Sequence, residues 1–213
     1  MASRAEKLGT IVEGLYVGYC ISGTILRSTA TKGEMSGVFD KLKPPFFVNR
    51  SPIITIVLSA VMASLVTVVT FLIQVPIPAT SGYLNFGDAI VFTSSLTFGP
   101  VVGGFAGALG SSVADILGGY YQFAPITLVV KGLEGLIAGL ITNGRSTRRD
   151  LLALLAGGLI MVFGYFVAET YLLGYGAAAA LVELPLNILQ VTVGSLVGIP
   201  ASLALRKYAR SFR

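Results

Sequence analysis

The stretch from residue 76 to residue 139 is almost wholly apolar, yet it carries Asp88, Asp115, Lys131 and Glu134. Ionisable groups are costly in a sequence apolar enough for a lipid bilayer, so we expect them to serve a function there. Only 12% of the residues of the whole chain are charged, against about 25% in a soluble domain. We therefore predict a helical membrane protein in which these groups form a binding site for a small polar solute.

The residue types that the chain lacks exclude several other kinds of site. It has no histidine and one cysteine, Cys20, which excludes a Cys/His metal cluster, a Ser–His or Cys–His catalytic pair and an internal disulfide. It also lacks a Gly-x-x-x-x-Gly-Lys-Ser/Thr loop for nucleotide phosphates. We predict that the protein is not an enzyme, holds no cofactor or metal, and depends on partners for any use of ATP.

Six apolar segments predict an all-α bundle of six transmembrane helices within residues 51–213. Pro52 suits the first turn of the first helix, and residues 75–83 after that helix predict a loop. Asn85 is the expected N-cap of the second helix, where Asp88 suits the positive end of the dipole. This second helix has about 14 residues, some 21 Å, so we expect it to be tucked among the others. The segments comprise residues 53–73, 89–97, 100–117, 125–141, 151–173 and 178–205.

Residues 1–50 are predicted to form a separate N-terminal segment that is cytoplasmic or lies on the membrane surface. Residues 8–26 within it are mostly apolar but interrupted by Glu13. Their length is borderline for the roughly 20 residues of a span, so an extra span and a helix on the membrane surface or against a partner both stay open. The charged first seven residues are not typical of a cleaved signal peptide.

Basic residues are distributed unequally about the six predicted helices. The loops at residues 75–87, 118–124 and 174–177 contain no lysine or arginine. Because the basic side of a membrane protein faces the cytoplasm, we predict a multi-pass protein of the cell membrane with both ends of the six-helix core cytoplasmic. This placement also accounts for the net charge of +5 without a nucleic-acid partner. The basic side carries Lys41, Lys43, Arg50, Arg145, Arg148, Arg149, Arg206, Lys207, Arg210 and Arg213.

The sixth helix has a polar stripe in its outer half. Glu183, Asn187 and Gln190 fall at i, i+4 and i+7 on one helix face. Gly194 and Gly198 continue the stripe inward and predict close packing. In the predicted topology, the polar groups of helices three to six converge on the outer half of the bundle. Small and aliphatic residues seal the inner half. This pattern favours a pocket open to the outside, although the same groups would also serve simply to lock helices together.

The residues predicted to contact the solute come from the loop at residues 75–88 and from the outer halves of helices three to six. Lys131 and Glu134 can also meet each other at i and i+3, and Asp115 is an alternative partner for Lys131. Tyrosines supply flat surfaces for a planar heterocycle. The predicted contacts are Asn85, Asp115, Lys131, Glu169, Glu183, Asn187 and Gln190, with Tyr83, Tyr121 and Tyr165 stacking on a ring.

Four motifs in the central stretch resemble one known family. They are Gly-Tyr-Leu-Asn-x-Gly-Asp at 82–88, Phe-Gly-Pro at 98–100, Ala-Asp at 114–115 and Ala-Pro-x-Thr-x-x-x-Lys-Gly-x-Glu-Gly at 124–135. Together they resemble the substrate-binding S components of energy-coupling factor (ECF) transporters, of the riboflavin and hydroxymethylpyrimidine type. The layout of the predicted helices extends the resemblance to residues 53–205.

The resemblance implies a function and a set of partners. Such proteins bind a vitamin or its precursor tightly from outside, and they assemble in the lipid membrane with a transmembrane coupling protein and two ATPase subunits. The family contacts the coupling protein through an Ala-x-x-x-Ala pattern on the first helix. The matching pairs here are Ser59–Ala63 and Ala60–Ser64, which keep small size but replace one alanine by serine in each pair. Packing within the subunit is the alternative role of these pairs.

Two other functions remain open at this point. A structural or assembly subunit of a larger membrane complex would use its buried charges only to lock helices. An autonomous ion-coupled carrier is expected to show internal repeat symmetry, and we see none in the sequence.

Overall fold

The computed structural model describes residues 51–142, 144 and 146–211, with side chains to residue 208. The predictions for residues 1–50 lie outside these residues. The described part contains six α-helices: α1 Pro52–Leu72, α2 Gly87–Phe98, α3 Pro100–Gly118, α4 Ala124–Ile141, α5 Thr147–Val167, which continues into a π-helical turn at Ala168–Leu172, and α6 Ala177–Ser211. The predicted all-α six-helix bundle is thus confirmed.

Five of these helices are long and apolar enough to cross a membrane, and α2 is the exception. It has 12 residues, nearly all of them buried. A helix of that length rises only about 18 Å, which is too short to cross a membrane. Its ends therefore need neighbouring helices to shield their polar backbone groups from lipid. The expectation of a short second helix tucked among the others is confirmed.

The connection between α1 and α2 is not the predicted loop. It forms an antiparallel hairpin of β1 Gln74–Ile77 and β2 Gly82–Asn85. Pro76, paired with Tyr83, is compatible with this sheet because both of its strands are edge strands, where a missing N–H is tolerated. Proline and glycine content alone does not reveal the cross-strand pairing that produces the hairpin.

The first two helices begin close to the predicted residues. Pro52 occupies the first turn of α1, and Ser51 caps it by accepting a hydrogen bond from the Ile54 amide at 3.4 Å. Asn85 lies at the end of β2, two residues before α2. Its side-chain oxygen still accepts a hydrogen bond from the Gly87 amide at 2.8 Å. Asn85 therefore satisfies an N-terminal amide of α2, as an N-cap does, although it is not the residue directly before the helix.

Glycines allow the helices to approach closely, as the small-residue patterns predicted. A Cβ at Gly107 on α3 would lie 2.3 Å from the Lys131 carbonyl oxygen on α4. A Cβ at Gly194 on α6 would lie 2.7 Å from the Asp88 Cβ on α2. Both distances are far below van der Waals contact, so these helix pairs depend on glycine.

The end of the bundle opposite the hairpin contains a buried ion pair. Arg206 on α6 donates to Asp150 Oδ2 at 2.7 Å and to the Leu96 carbonyl at 3.0 Å. The Thr142 hydroxyl donates to the other oxygen of Asp150. The expectation that small and aliphatic residues alone seal this half was wrong, because a charged cluster joins the ends of α2, α4, α5 and α6. We call this the Arg206 end, and the other the hairpin end.

Candidate functional site

A narrow cavity lies at the hairpin end of the bundle, between β2 and helices α3 to α6. The space between its atoms amounts to about 380 Å³ when open solvent is included, but only about 20 Å³ is open to a water-sized molecule. Its walls combine hydrogen-bonding and ionisable side chains with aromatic rings, the composition expected of a site for a small polar ligand. The lining residues are Gly82, Tyr83, Asn85, Ser111, Asp115, Phe123, Thr127, Lys131, Met161, Tyr165, Glu183, Asn187 and Gln190.

The polar stripe of α6 faces this cavity. Glu183, Asn187 and Gln190 all line it and are each at most 5% exposed. Their spacing places them on one helix face, and the packing of α6 against α2 and α5 turns that face inward. The structure thus brings this predicted set together.

Lys131 is held in a buried charge network at the cavity wall. Its ammonium group donates to Asp88 Oδ1 and lies 3.0 Å from Glu134 Oε2. Gln190 donates to the other oxygen of Asp88 at 3.2 Å and accepts a hydrogen bond from the Asn85 amide at 2.9 Å. The i,i+3 ion pair is therefore present. Two carboxyl groups already share the charge of Lys131.

Asp88 is the partner of Lys131 that the sequence did not reveal. We predicted a dipole role for Asp88 and Asp115 as an alternative partner of the lysine. In the structure, the two ion pairs of Lys131 are formed with Asp88 and Glu134 instead of Asp115. Asp88 and Lys131 are 43 residues apart in the chain, so only the packing of α2 beside α4 and α6 brings them together.

Asp115 anchors the hairpin to α3. Its Oδ1 accepts a hydrogen bond from the Tyr83 hydroxyl at 2.5 Å, and the Tyr83 ring packs on Tyr120 with ring centroids 4.4 Å apart. Burial, and then the nearby charge of Asp115, raise the pKa of Tyr83 above its ordinary value. The phenol therefore stays protonated and remains a donor to Asp115.

The second oxygen of Asp115 is left without a hydrogen bond. Asp115 is 2% exposed, and its Oδ2 has no hydrogen-bond partner within the described part of the chain. The Thr127 hydroxyl lies near this carboxyl group, but its hydrogen bond of normal geometry, at 2.9 Å, is made with the Tyr165 hydroxyl. The cavity thus contains a buried acceptor atom that receives no hydrogen bond of normal geometry from the described residues.

Glu169 lies behind the cavity wall instead of in it. The π-helical turn buries this side chain completely and brings its carboxyl group next to that of Glu183. Neither oxygen of Glu169 has a hydrogen bond of normal geometry to a described residue. Glu183 itself accepts a hydrogen bond from the Thr80 hydroxyl of the hairpin turn. A π-helical turn inside a helix is frequent at functional sites.

Tyr121 is the other predicted contact that does not line the cavity. Its side chain is 68% exposed, because residues 120–123 form a turn between α3 and α4 that directs it outward. Tyr83 and Tyr165 both line the cavity, and Phe123, which was not predicted, adds a third ring.

Most of the lining residues that sequence reasoning missed lie one helical turn from a predicted residue. Ser111 precedes Asp115 by four positions, Met161 precedes Tyr165, and Thr127 precedes Lys131. The i,i+4 rule that identified the stripe on α6 applies equally to α3, α4 and α5. By themselves, the uncharged side chains on those helices did not indicate a binding site in the sequence. The missed lining residues are Gly82, Ser111, Phe123, Thr127 and Met161.

The small residues predicted for partner contact fall on two different faces of α1. Ala60 and Ser64 are exposed, whereas Ser59 and Ala63 are half-buried. The Ala63 carbonyl lies against Gly110, where a Cβ would come within 2.6 Å of it. One pair therefore takes part in internal packing, and the other remains accessible from outside the bundle.

Comparison with known proteins agrees with this architecture. Residues 51–207 match the family model described as "ECF-type riboflavin transporter, S component". A solved structure described as the S component of a bacterial ECF transporter has the same fold, with a TM-score of 0.56 and 24% identity over 76% of this chain and 99% of that one.

Two relatives show similarity at the level of sequence. An uncharacterised protein in the gap 3′ region of Pyrococcus woesei is 45% identical over 67% of this chain and 95% of its own length. The thiamine precursor transporter HmpT of Lactococcus lactis subsp. cremoris is 34% identical over 64% of this chain and 78% of its own. The family is one of transporter subunits and not of enzymes, which confirms the prediction made from the missing catalytic groups. The multi-pass membrane chain described here belongs to the ECF-type riboflavin transporter S component family.

Proposed function

We propose that this chain is the high-affinity subunit that captures a planar, vitamin-like heterocycle for uptake. The observation that carries this proposal is the difference between the two ends of the bundle. A polar and aromatic cavity lies at the hairpin end, and the buried cluster around Arg206 closes the other end. A continuous pore would require polar lining through its full depth. The family model and the thiamine precursor transporter among the relatives support a vitamin or vitamin precursor as the solute class.

The hairpin end faces outward in this proposal. Exposed basic side chains of the described part, Arg148, Arg149 and Lys207, lie at the Arg206 end, and basic residues mark the cytoplasmic side. Both ends of the six-helix core are then cytoplasmic. With Cys20 replaced by serine, a Tyr121→Cys variant in intact cells should react with a membrane-impermeant maleimide, and a Lys207→Cys variant should not. The reverse labelling pattern would contradict the orientation.

Energy for uptake comes from partners in this proposal. A transmembrane coupling protein and two ATPase subunits would supply it, because the chain lacks a phosphate-binding loop of its own. The exposed face of α1 around Ala60 and Ser64 supports a site for the coupling protein, since small residues let a partner helix approach closely.

Equilibrium binding to the purified full chain tests the capture function. A panel of vitamins and precursors should contain a ligand that binds far below about 1 mM, the level at which binding amounts to only about 4 kcal/mol. Asn187→Ala should weaken the binding of that ligand. The matched control on the same helix is Ile188→Ala, because the Ile188 side chain is 49% exposed. Absence of any ligand, together with co-purification of other membrane subunits but no ATPases, would favour a structural or assembly subunit instead.

A further inference from the structure

We propose that the cavity selects a ligand with a positively charged nitrogen, such as a planar heterocycle bearing an ammonium group, and rejects phosphorylated forms of the same ring. This inference rests on the proposed function and adds a charge class to it. Its basis is the balance of buried charge around the cavity together with an acceptor atom that the surrounding residues leave unpaired.

Acidic groups outnumber basic ones around the cavity. Five carboxyl groups lie in its walls or directly behind them, and each is at most 3% exposed. Lys131 is the one basic side chain among the described lining residues, and it is already shared between two of the carboxylates. The other buried basic side chain of the described part, Arg206, is at the far end of the bundle and paired with Asp150. The five acidic residues are Asp88, Asp115, Glu134, Glu169 and Glu183.

Acidic groups remain in excess even when two of them share one proton. Glu169 and Glu183 lie side by side, and two buried carboxyl groups in contact can hold one proton between them. With one proton shared in this way and Lys131 paired, the carboxyl groups still outnumber the basic groups at the cavity. They lie in a poorly solvated space, where a charged ligand group interacts with them more strongly than in water.

The unpaired atom is Oδ2 of Asp115. Tyr83 occupies the other oxygen of this carboxyl group, and Oδ2 has no hydrogen-bond partner within the described part of the chain. Leaving a buried acceptor unpaired costs free energy, and a charged N–H donor satisfies it best because charge-assisted hydrogen bonds are the strong ones. An anionic group at the same place would be repelled by the carboxylate.

The aromatic lining is consistent with a cation on a flat ring. Tyr83, Phe123 and Tyr165 line the cavity, and an existing contact shows that cations are accommodated there, because the Lys131 ammonium lies 5.9 Å from the centroid of the Tyr165 ring. A heterocycle stacked on these rings can direct a charged substituent to Asp115 or Glu183, with cation–π attraction adding to the hydrogen bond.

A matched set of ligands tests the charge preference on the full chain in detergent. Each planar ring, a pyrimidine, a pteridine and an isoalloxazine, is prepared with a hydroxymethyl, an aminomethyl or a phosphomethyl substituent, and binding is measured by titration calorimetry near neutral pH. For any ring that binds, the aminomethyl form should bind at least about tenfold more tightly than the hydroxymethyl form, a difference of about 1.4 kcal/mol. The phosphomethyl form should bind least.

Two outcomes separate this inference from the proposed function. Equal or tighter binding of the hydroxymethyl or phosphomethyl form would overturn the charge preference alone and leave the capture function standing. Failure of every ring in all three forms would count against the capture function and the inference together.

Variants identify the responsible carboxyl groups. Asp115→Asn and Glu183→Gln should each weaken the aminomethyl ligand by about tenfold, the loss expected for a charge-assisted hydrogen bond, and change the hydroxymethyl ligand much less. Ser111→Ala, an uncharged lining position, should affect both ligands equally. Glu183→Gln serves as a second reporter if Asp115→Asn does not fold, and thermal unfolding of each variant checks this. Equal losses for both ligands in the carboxyl variants would overturn the assignment.

Discussion

Replacement of Lys131 by methionine tests whether the buried charge network holds the cavity wall together. Methionine keeps the length of the side chain and removes its charge, which leaves Asp88 and Glu134 buried at 1% and 0% exposure. At the 3.0 Å that separates Lys131 Nζ from Glu134 Oε2, the gross attraction is about 5 kcal/mol for an effective dielectric constant near 20. Desolvation offsets part of that attraction.

Removing one member of a buried ion pair typically costs about 3–5 kcal/mol, and we expect Lys131→Met to lower the free energy of unfolding by that amount. Unfolding in mixed micelles, followed by circular dichroism as denaturing detergent is added, measures the loss. The double variant Lys131→Met/Glu134→Gln should be more stable than Lys131→Met, because it removes one of the two carboxyl groups left without an opposite charge.

The matched control is Leu133→Met on the same helix, where the side chain is 43% exposed and the change should stay within about 0.5 kcal/mol. If Lys131→Met resembles this control, or if Glu134→Gln deepens the loss in the double variant, then the network contributes little and the reasoning from burial is refuted.

Three further predictions concern the other end of the bundle, the hairpin and the partner surface. Arg206→Met should lower the free energy of unfolding by about 3–5 kcal/mol, whereas Arg149→Met, at an exposed position, should not; similar values would contradict a stabilising role for the buried cluster. Tyr83→Phe removes the hydroxyl that donates to Asp115 and should weaken ligand binding by about three- to tenfold, the range of one hydrogen bond, as calorimetry would show; unchanged affinity would mean that this anchor does not shape the cavity. Ala60→Leu should reduce co-purification of the coupling protein and ATPases without changing ligand affinity, and full recovery of the partners would indicate that this face meets only lipid.

Local sequence features determined the class of the protein and the positions of its helices. Apolar length and proline placement are properties of single segments, so they predicted the long helices and the short buried α2 without knowledge of their neighbours. The stripe of Glu183, Asn187 and Gln190 was equally predictable, since the α-helical period alone places these residues on one face. The cost of burying Lys131 in lipid indicated that it needs carboxylate partners.

The tertiary structure decided which distant groups meet. Asp88 reaches Lys131, and Arg206 reaches Asp150, only because helices far apart in the chain pack side by side. The exposure of Tyr121 likewise depends on how a turn packs against the bundle. The position of Tyr83 depends on how the two strands of the hairpin pack there. Periodicity specifies the face on which a side chain lies, but the partner opposite that face is set by long-range packing, which a single segment does not encode.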